Sequence, residues 1–154
     1  MSTPLSTEVI ELLNDASTIK VLATIDGEGS PHAVVRNELY AAGDGTLILP
    51  ELLESSPTNR NLLRSLWFDR NVAVSLLAGD GRSFQIKGKA LKTHVSGALF
   101  QRHYVEARER QGNVGLAAVW VIEPEEAWSE DFGHLRALQE AERPTLTHLD
   151  QLAK

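Results

Sequence analysis

The chain has 154 residues, with 15 Lys+Arg against 21 Asp+Glu, a formal net charge of −6. It has no general positive field for a phosphate backbone, which argues against nucleic-acid binding as its main task. Its 42% hydrophobic and 23% charged residues exclude long disorder, collagen and a disulfide scaffold, and the lack of cysteine removes thiolate metal sites and a Cys nucleophile.

Leu5, Val9, Leu12 and Leu13 recur at helical spacing and predict a short amphipathic helix. Lys20 to Ile25 reads as a first strand, ended by Asp26-Gly27-Glu28-Gly29-Ser30-Pro31. His32 to Tyr40 reads as a second. Gly43-Asp44-Gly45 is a hairpin signal, and Thr46 to Leu49 is a third strand that Pro50 is expected to stop. Glu51 to Thr58 is a polar loop. Thr58 or Asn59 is expected to cap a helix with Leu62, Leu63, Leu66 and Trp67 on one side. Asn71 to Leu77 is a fourth strand, and Ser83 to Thr93 a long fifth after the turn at Gly79-Asp80-Gly81. Ser96 opens a helix carrying Leu99, Phe100, His103, Tyr104 and Ala107, and Gly112 ends it. Gly115 to Ile122 is a sixth strand, which Pro124 is expected to end. A last helix lies around Phe132 to Ala141, Pro144 breaks it, and a tail follows.

Gly-rich turns between strands argue for antiparallel pairing, and no βαβ alternation is present. The expected architecture is mainly β with peripheral helices: one domain over residues 1–154, built as a small six-stranded antiparallel barrel. Residues 1–20 lack a basic start followed by an apolar run, so no signal peptide is expected. No apolar stretch reaches the roughly 18 residues that a membrane helix needs. The expected compartment is the cytoplasm.

The three Gly-acid-Gly turns read as hairpin turns rather than nucleotide loops, because no helix follows them directly and an acid would repel phosphate. The five histidines make no metal-ligand spacing, no nucleophile elbow is present, and no carboxylate pair stands out, so no catalytic residue is assigned. Ser55-Ser56-Pro57-Thr58-Asn59-Arg60-Asn61 places hydroxyls, amides and a guanidinium at a helix start. Anion binding and simple capping both account for it. In Phe84 to Ala90, alternation puts Gln85, Lys87 and Lys89 on one face and Phe84, Ile86 and Gly88 on the other. The polar face suits either the edge of a flat heterocycle or plain solvent.

The order of these segments carries a resemblance. Gly29-Ser30-Pro31-His32 opens a strand ending in Val35-Arg36-Asn37, a Ser/Thr-rich loop leads to Asn61-Leu62, and Phe84-Gln85-Ile86-Lys87-Gly88-Lys89-Ala90 follows Asn71 to Leu77. Over roughly Ile19 to Trp128 this resembles the FMN-binding split barrel of pyridoxamine 5′-phosphate oxidase-like proteins, above all their small bacterial FMN-binding members.

The resemblance implies a homodimer of six-stranded split barrels with FMN near the subunit interface. Val34, Val35, Arg36 and Asn37 would lie along the flavin ring, with Leu49 and Pro50 beside it. Ser56, Thr58, Arg60 and Asn61 would hold the phosphate. Gln85 would contact the ring, and Trp128 would approach from the partner subunit. Arg36, Lys87 and Gln85 are the groups expected to raise the flavin potential by facing the negative charge of its reduced form. Two departures stand out. Pro57, Thr58 and Asn59 occupy the places where many members carry a phosphate-loop lysine, and the C-terminal Arg/His substrate motif is absent, so formation of pyridoxal phosphate is not expected. The expected function is an FMN-dependent oxidoreductase acting on a small substrate with an electron donor. The alternatives are a non-enzymatic flavin carrier or store, a deazaflavin protein, or a haem-binding split barrel using His134 or His148.

Overall fold

The chain begins its fold with a capped helix, as the apolar spacing predicts. In the computed structural model, which describes residues 5–112 and 114–146, α1 spans Thr7–Leu13. The Ser6 side chain accepts a hydrogen bond from the Val9 N–H, and Val9, Leu12 and Leu13 face the core. The strands are β1 (Ile19–Ile25), β2 (Pro31–Val35), β3 (Tyr40–Ala41), β4 (Leu47–Glu51), β5 (Asn71–Leu77), β6 (Ser83–His94) and β7 (Ala118–Ser129). The remaining helices are α2 (Pro57–Phe68), α3 (Gly97–Gln111) and α4 (Phe132–Glu142), and a 3-10 turn follows at Pro144–Leu146.

All seven strands form one antiparallel sheet in the order β2-β1-β5-β6-β7-β4-β3, curled into a half-barrel. The expected count was six. The difference lies in the stretch read as one strand from His32 to Tyr40. It breaks at Arg36, where the Leu39 N–H donates to the Arg36 carbonyl and turns the chain. Lys20 pins this turn twice: its backbone N–H donates to Asn37 Oδ1, and its Nζ donates to the Asn37 carbonyl, both at 2.9 Å. Four residues therefore carry the chain from β2 at one edge of the sheet to β3 at the other. Burial pushes the Lys20 ammonium below its ordinary pKa.

Neither proline ends its strand. Pro50 lies inside β4, opposite Val119, beyond the short stretch where β3 pairs on the other side. Its missing N–H therefore interrupts no ladder on that side. Pro124 lies inside β7 opposite Gly88, at a bulge where the β6–β7 register shifts between Lys87 and Gly88. A Cβ on Gly88 would stand 2.3 Å from the Glu123 carbonyl oxygen, so only glycine lets the two backbones approach this closely.

The three acidic turns are hairpin turns, as expected. Asp26 Oδ1 accepts from the Ser30 and Glu28 N–H groups, Asp44 Oδ1 from the Thr46 hydroxyl and N–H, and Asp80 from the Arg82 guanidinium and N–H. These donors hold all three carboxylates below their usual pKa. Their contribution to stability is complete above the ordinary carboxylate value and is lost as pH falls through the folded one.

The core lies between the concave sheet face, α1 and α2, around Leu22, Leu47, Leu49, Leu62, Leu76, Ile86, Trp120 and Ile122. Each such side chain contributes about 1.5–3 kcal/mol on burial. A second cluster, Ile48, Leu116, Val119 and Val121, forms where Leu99, Phe100 and Tyr104 of α3 cover the other face of β4 and β7. This explains why Ala118 to Ile122 is buried at every position rather than at alternate ones. Among the described residues, no helix is long and apolar enough to cross a membrane.

Candidate functional site

The turn after β2, the end of β4 and the C-terminal half of α3 line an open cavity of about 920 Å³. Val34, Arg36 and Asn37 line one side, and Pro50, Glu51 and Leu52 the floor. His103, Ala107 and Arg110 of α3 form the opposite wall. The volume falls within the range of small-ligand and cofactor sites.

Arg36 is the central polar group. Its guanidinium donates to Glu51 Oε2 at 2.7 Å and to Glu38 Oε1 at 3.2 Å. Glu51 is almost fully buried, and its second oxygen accepts the Leu53 N–H at 3.1 Å. Burying a carboxylate is costly unless its oxygens are paired, and here both are. The arrangement also fixes Arg36 and offsets much of its charge.

The α3 wall is titratable. His103 is 5% exposed, with Nε2 2.9 Å from the Tyr40 hydroxyl and Nδ1 3.4 Å from Glu106 Oε2. Burial holds its pKa below the ordinary histidine value. Glu106 pulls the other way, while Arg102 and Arg110 reinforce the drop.

The residues picked out from sequence fall into three places. Val34, Arg36, Asn37 and Pro50 come together on the cavity. Val35 alternates away to the outer sheet face, and Leu49 is fully buried in the core.

The second group belongs to α2. Its N-cap is Ser56, not Thr58 or Asn59: Ser56 Oγ accepts the Asn59 N–H at 2.9 Å, and Pro57 at the first position has no N–H. The Asn61 amide donates to Thr24 Oγ1 at 3.0 Å inside the protein, and Thr58 is buried too. Only Arg60 of this set is exposed. Replacing Ser56 with alanine is expected to cost about 1 kcal/mol through loss of the cap, read by urea unfolding.

Gln85, Lys87 and Trp128 form the third group, on the outer face of β6 and β7, with Gln85 opposite Trp128 and Lys87 opposite Glu126. The Trp128 indole N–H donates to the Glu130 carboxylate. His134 is exposed on α4, and His148 lies outside the described residues.

Glu51, Glu38, Tyr40, His103 and Arg110 were not picked out from sequence. Glu51 was read as the first residue of a loop, and His103 as one position on an apolar helix stripe. Among the described residues, no group of three or more His, Asp or Glu side chains is placed to hold a metal ion.

A flavin requires a slot for its ring, hydrogen-bond donors along the ring edge and an anion subsite. The cavity supplies the slot, and Arg36 and Arg110 supply donors; Arg60, the cation on the stretch expected to hold phosphate, is exposed on α2 and is not among the residues that line the cavity.

No protein-family model matches the sequence, and no curated protein matches it. Solved structures do. The chain is similar to HupZ of Group A Streptococcus, with 19% identity and a TM-score of 0.67 over 83% of this chain and 95% of that one. It is similar to an FMN-binding protein from Syntrophomonas wolfei, with 18% identity and a TM-score of 0.63 over 80% and 84%. HutZ from Vibrio cholerae, described as a haem storage protein, matches with 15% identity and a TM-score of 0.58 over 82% and 95%. The fold is thus the split barrel shared by FMN-binding and pyridoxamine 5′-phosphate oxidase-like proteins.

Proposed function

We propose that the chain binds FMN in the 920 Å³ cavity and acts as an oxidoreductase on a small substrate. The observation that carries this is the cavity itself: in a split barrel, it sits where β2 ends, with a fixed arginine on its wall. Val34, Asn37 and Pro50 would flank the ring, Arg36 and Arg110 would donate to its polar edge, and Arg60 would meet the phosphate. Bound FMN would supply the redox chemistry, while the protein supplies position and electrostatics. Because Glu51 offsets Arg36, the wall offers a reduced ring hydrogen bonds rather than a free positive charge.

The proposed assembly is a homodimer. The outer face of β1, β2, β5, β6 and β7 exposes Ile19, Val35, Leu77 and Trp128, a set that favours a protein partner over solvent. Gln85, Lys87 and Trp128 lie on this face, so they would meet a flavin across the subunit interface. The proposed compartment is the cytoplasm.

Titration with FMN tests the proposal. The expected result is one FMN per chain, with Arg36→Ala and Arg60→Ala each weakening binding at least about tenfold, the scale of a lost charge-assisted hydrogen bond. A protein that takes up haemin and ignores FMN would overturn it in favour of the haem reading, which the HutZ fold supports. Turnover with a reduced nicotinamide or another donor separates the enzyme from a flavin carrier.

A further inference from the structure

The α3 wall holds a chain of polar contacts, two hydrogen bonds and one charge contact, that the flavin reading does not use. Arg102 Nη2 donates to the Tyr40 hydroxyl at 3.1 Å, Tyr40 meets His103 Nε2 at 2.9 Å, and His103 Nδ1 faces Glu106 Oε2 at 3.4 Å. The chemistry of the ends sets the direction of the chain. A guanidinium can only donate, so the Tyr40 oxygen accepts from Arg102. We assign the proton of a neutral His103 to Nδ1, the nitrogen that faces Glu106. Nε2 is then left to accept from the Tyr40 O–H.

His103 lies on the wall common to the large cavity and a smaller one of about 370 Å³, where Tyr40, Glu38 and Arg110 join it. The chain therefore runs from the cavity side of Tyr40 to Glu106, whose side chain is 46% exposed.

We propose that Tyr40 and His103 form a proton-transfer site for a small organic molecule carrying a weakly acidic O–H, bound at this end of the cavity. The Tyr40 oxygen already accepts from Arg102, and its second lone pair is available to the ligand. The ligand O–H passes its proton to Tyr40 as Tyr40 passes its own to His103 Nε2. The ligand becomes an oxyanion, His103 an imidazolium, and Tyr40 is unchanged.

The surrounding charges divide the work. From α3, Glu106 favours the imidazolium, while Arg102 and Arg110 oppose it and favour the oxyanion. Glu38, from the turn before β3, shares the lining of the smaller cavity, and both it and Glu51 of β4 are paired with Arg36. A histidine whose resting state is neutral is the form needed to accept a proton.

This inference deepens the flavin reading by naming a substrate class, phenols and similar O–H acids. Its test uses protein without flavin, so each can fail alone. The probe is 4-nitrophenol, whose anion is coloured, with the imidazole signals of His103 followed by NMR. The expected result is that bound probe ionises about one pH unit below free probe, a tenfold shift in its ionisation equilibrium. The His103 signals should move to the imidazolium form on binding. Tyr40→Phe and His103→Gln should abolish the shift. Glu106→Gln, a surface change that leaves the fold intact, should reduce it. Probe that fails to bind, binds with unchanged ionisation, or keeps its shift in Tyr40→Phe or Glu106→Gln would overturn the proposal.

Discussion

Glu51→Ala is expected to lower the unfolding free energy by about 3 kcal/mol, the low end of the cost of breaking a buried ion pair. The substitution leaves the Arg36 guanidinium, with a side chain only 17% exposed, without its 2.7 Å partner, and strips the Leu53 N–H of its acceptor. The low end applies because Glu38 remains within reach of Arg36 at 3.2 Å. In a domain of this size the loss corresponds to a fall in Tm of about 6–12 °C. Changing both residues, Arg36→Leu with Glu51→Leu, should recover part of it, because no unpaired charge is then left inside. Urea unfolding of the two single variants and the double variant checks this. If Glu51→Ala unfolds like the wild type, Glu51 does not hold Arg36 in solution.

Gly88→Ala should cost a comparable amount, about 3 kcal/mol, at the upper end of the usual overpacking penalty. The new methyl would meet the Glu123 carbonyl oxygen at 2.3 Å and the Pro124 Cα at 3.1 Å. Both are backbone atoms of a paired strand, so neither yields by a rotamer change. Relief requires β6 and β7 to separate at the bulge, with loss of pairing around it. Gly133→Ala on α4 is the matched control, since a Cβ there meets nothing within 4 Å. It should shift stability by no more than about 0.5 kcal/mol. Thermal unfolding of the two variants side by side separates a steric effect from the general cost of removing glycine.

Both variants bear on what was legible in the sequence. Periodicity placed α1, β5, β6 and α3 within a residue or two, because their patterns are local. The alternation of Phe84, Ile86 and Gly88 against Gln85, Lys87 and Lys89 also holds in the sheet. The prolines misled for one reason. A proline stops a strand only where the ladder needs its N–H, and the sequence does not reveal which neighbour lies opposite Pro50 or Pro124. The break at Arg36 was hidden because the turn is pinned by Lys20, 17 residues before Asn37.

The site follows the same logic. The side of the cavity lined by Val34, Arg36 and Asn37 was legible because those residues are contiguous. Glu51 and the Tyr40–His103 pair were not, because contacts 15 and 63 residues apart leave no local pattern. The Ser56 to Asn61 stretch was ambiguous for the opposite reason. Hydroxyls and amides at a helix start serve capping and anion binding alike, and here Ser56 caps while Asn61 bonds to Thr24.

The strand order also governs how the protein reaches its folded state. β1 pairs with β2 through a tight hairpin, β5 with β6 likewise, and the turn at Arg36 joins the two sheet edges across four residues, so these steps close short loops at little entropic cost. β7 is different. It joins β6 to β4, and its pairing of Ile122 with Leu47 closes a loop of about half of the chain. Leu47, Leu49 and the concave face therefore stay open to water until β7 docks. On a ribosome, that docking must await synthesis of Trp120 and Ile122, so the barrel completes late and from its C-terminal side.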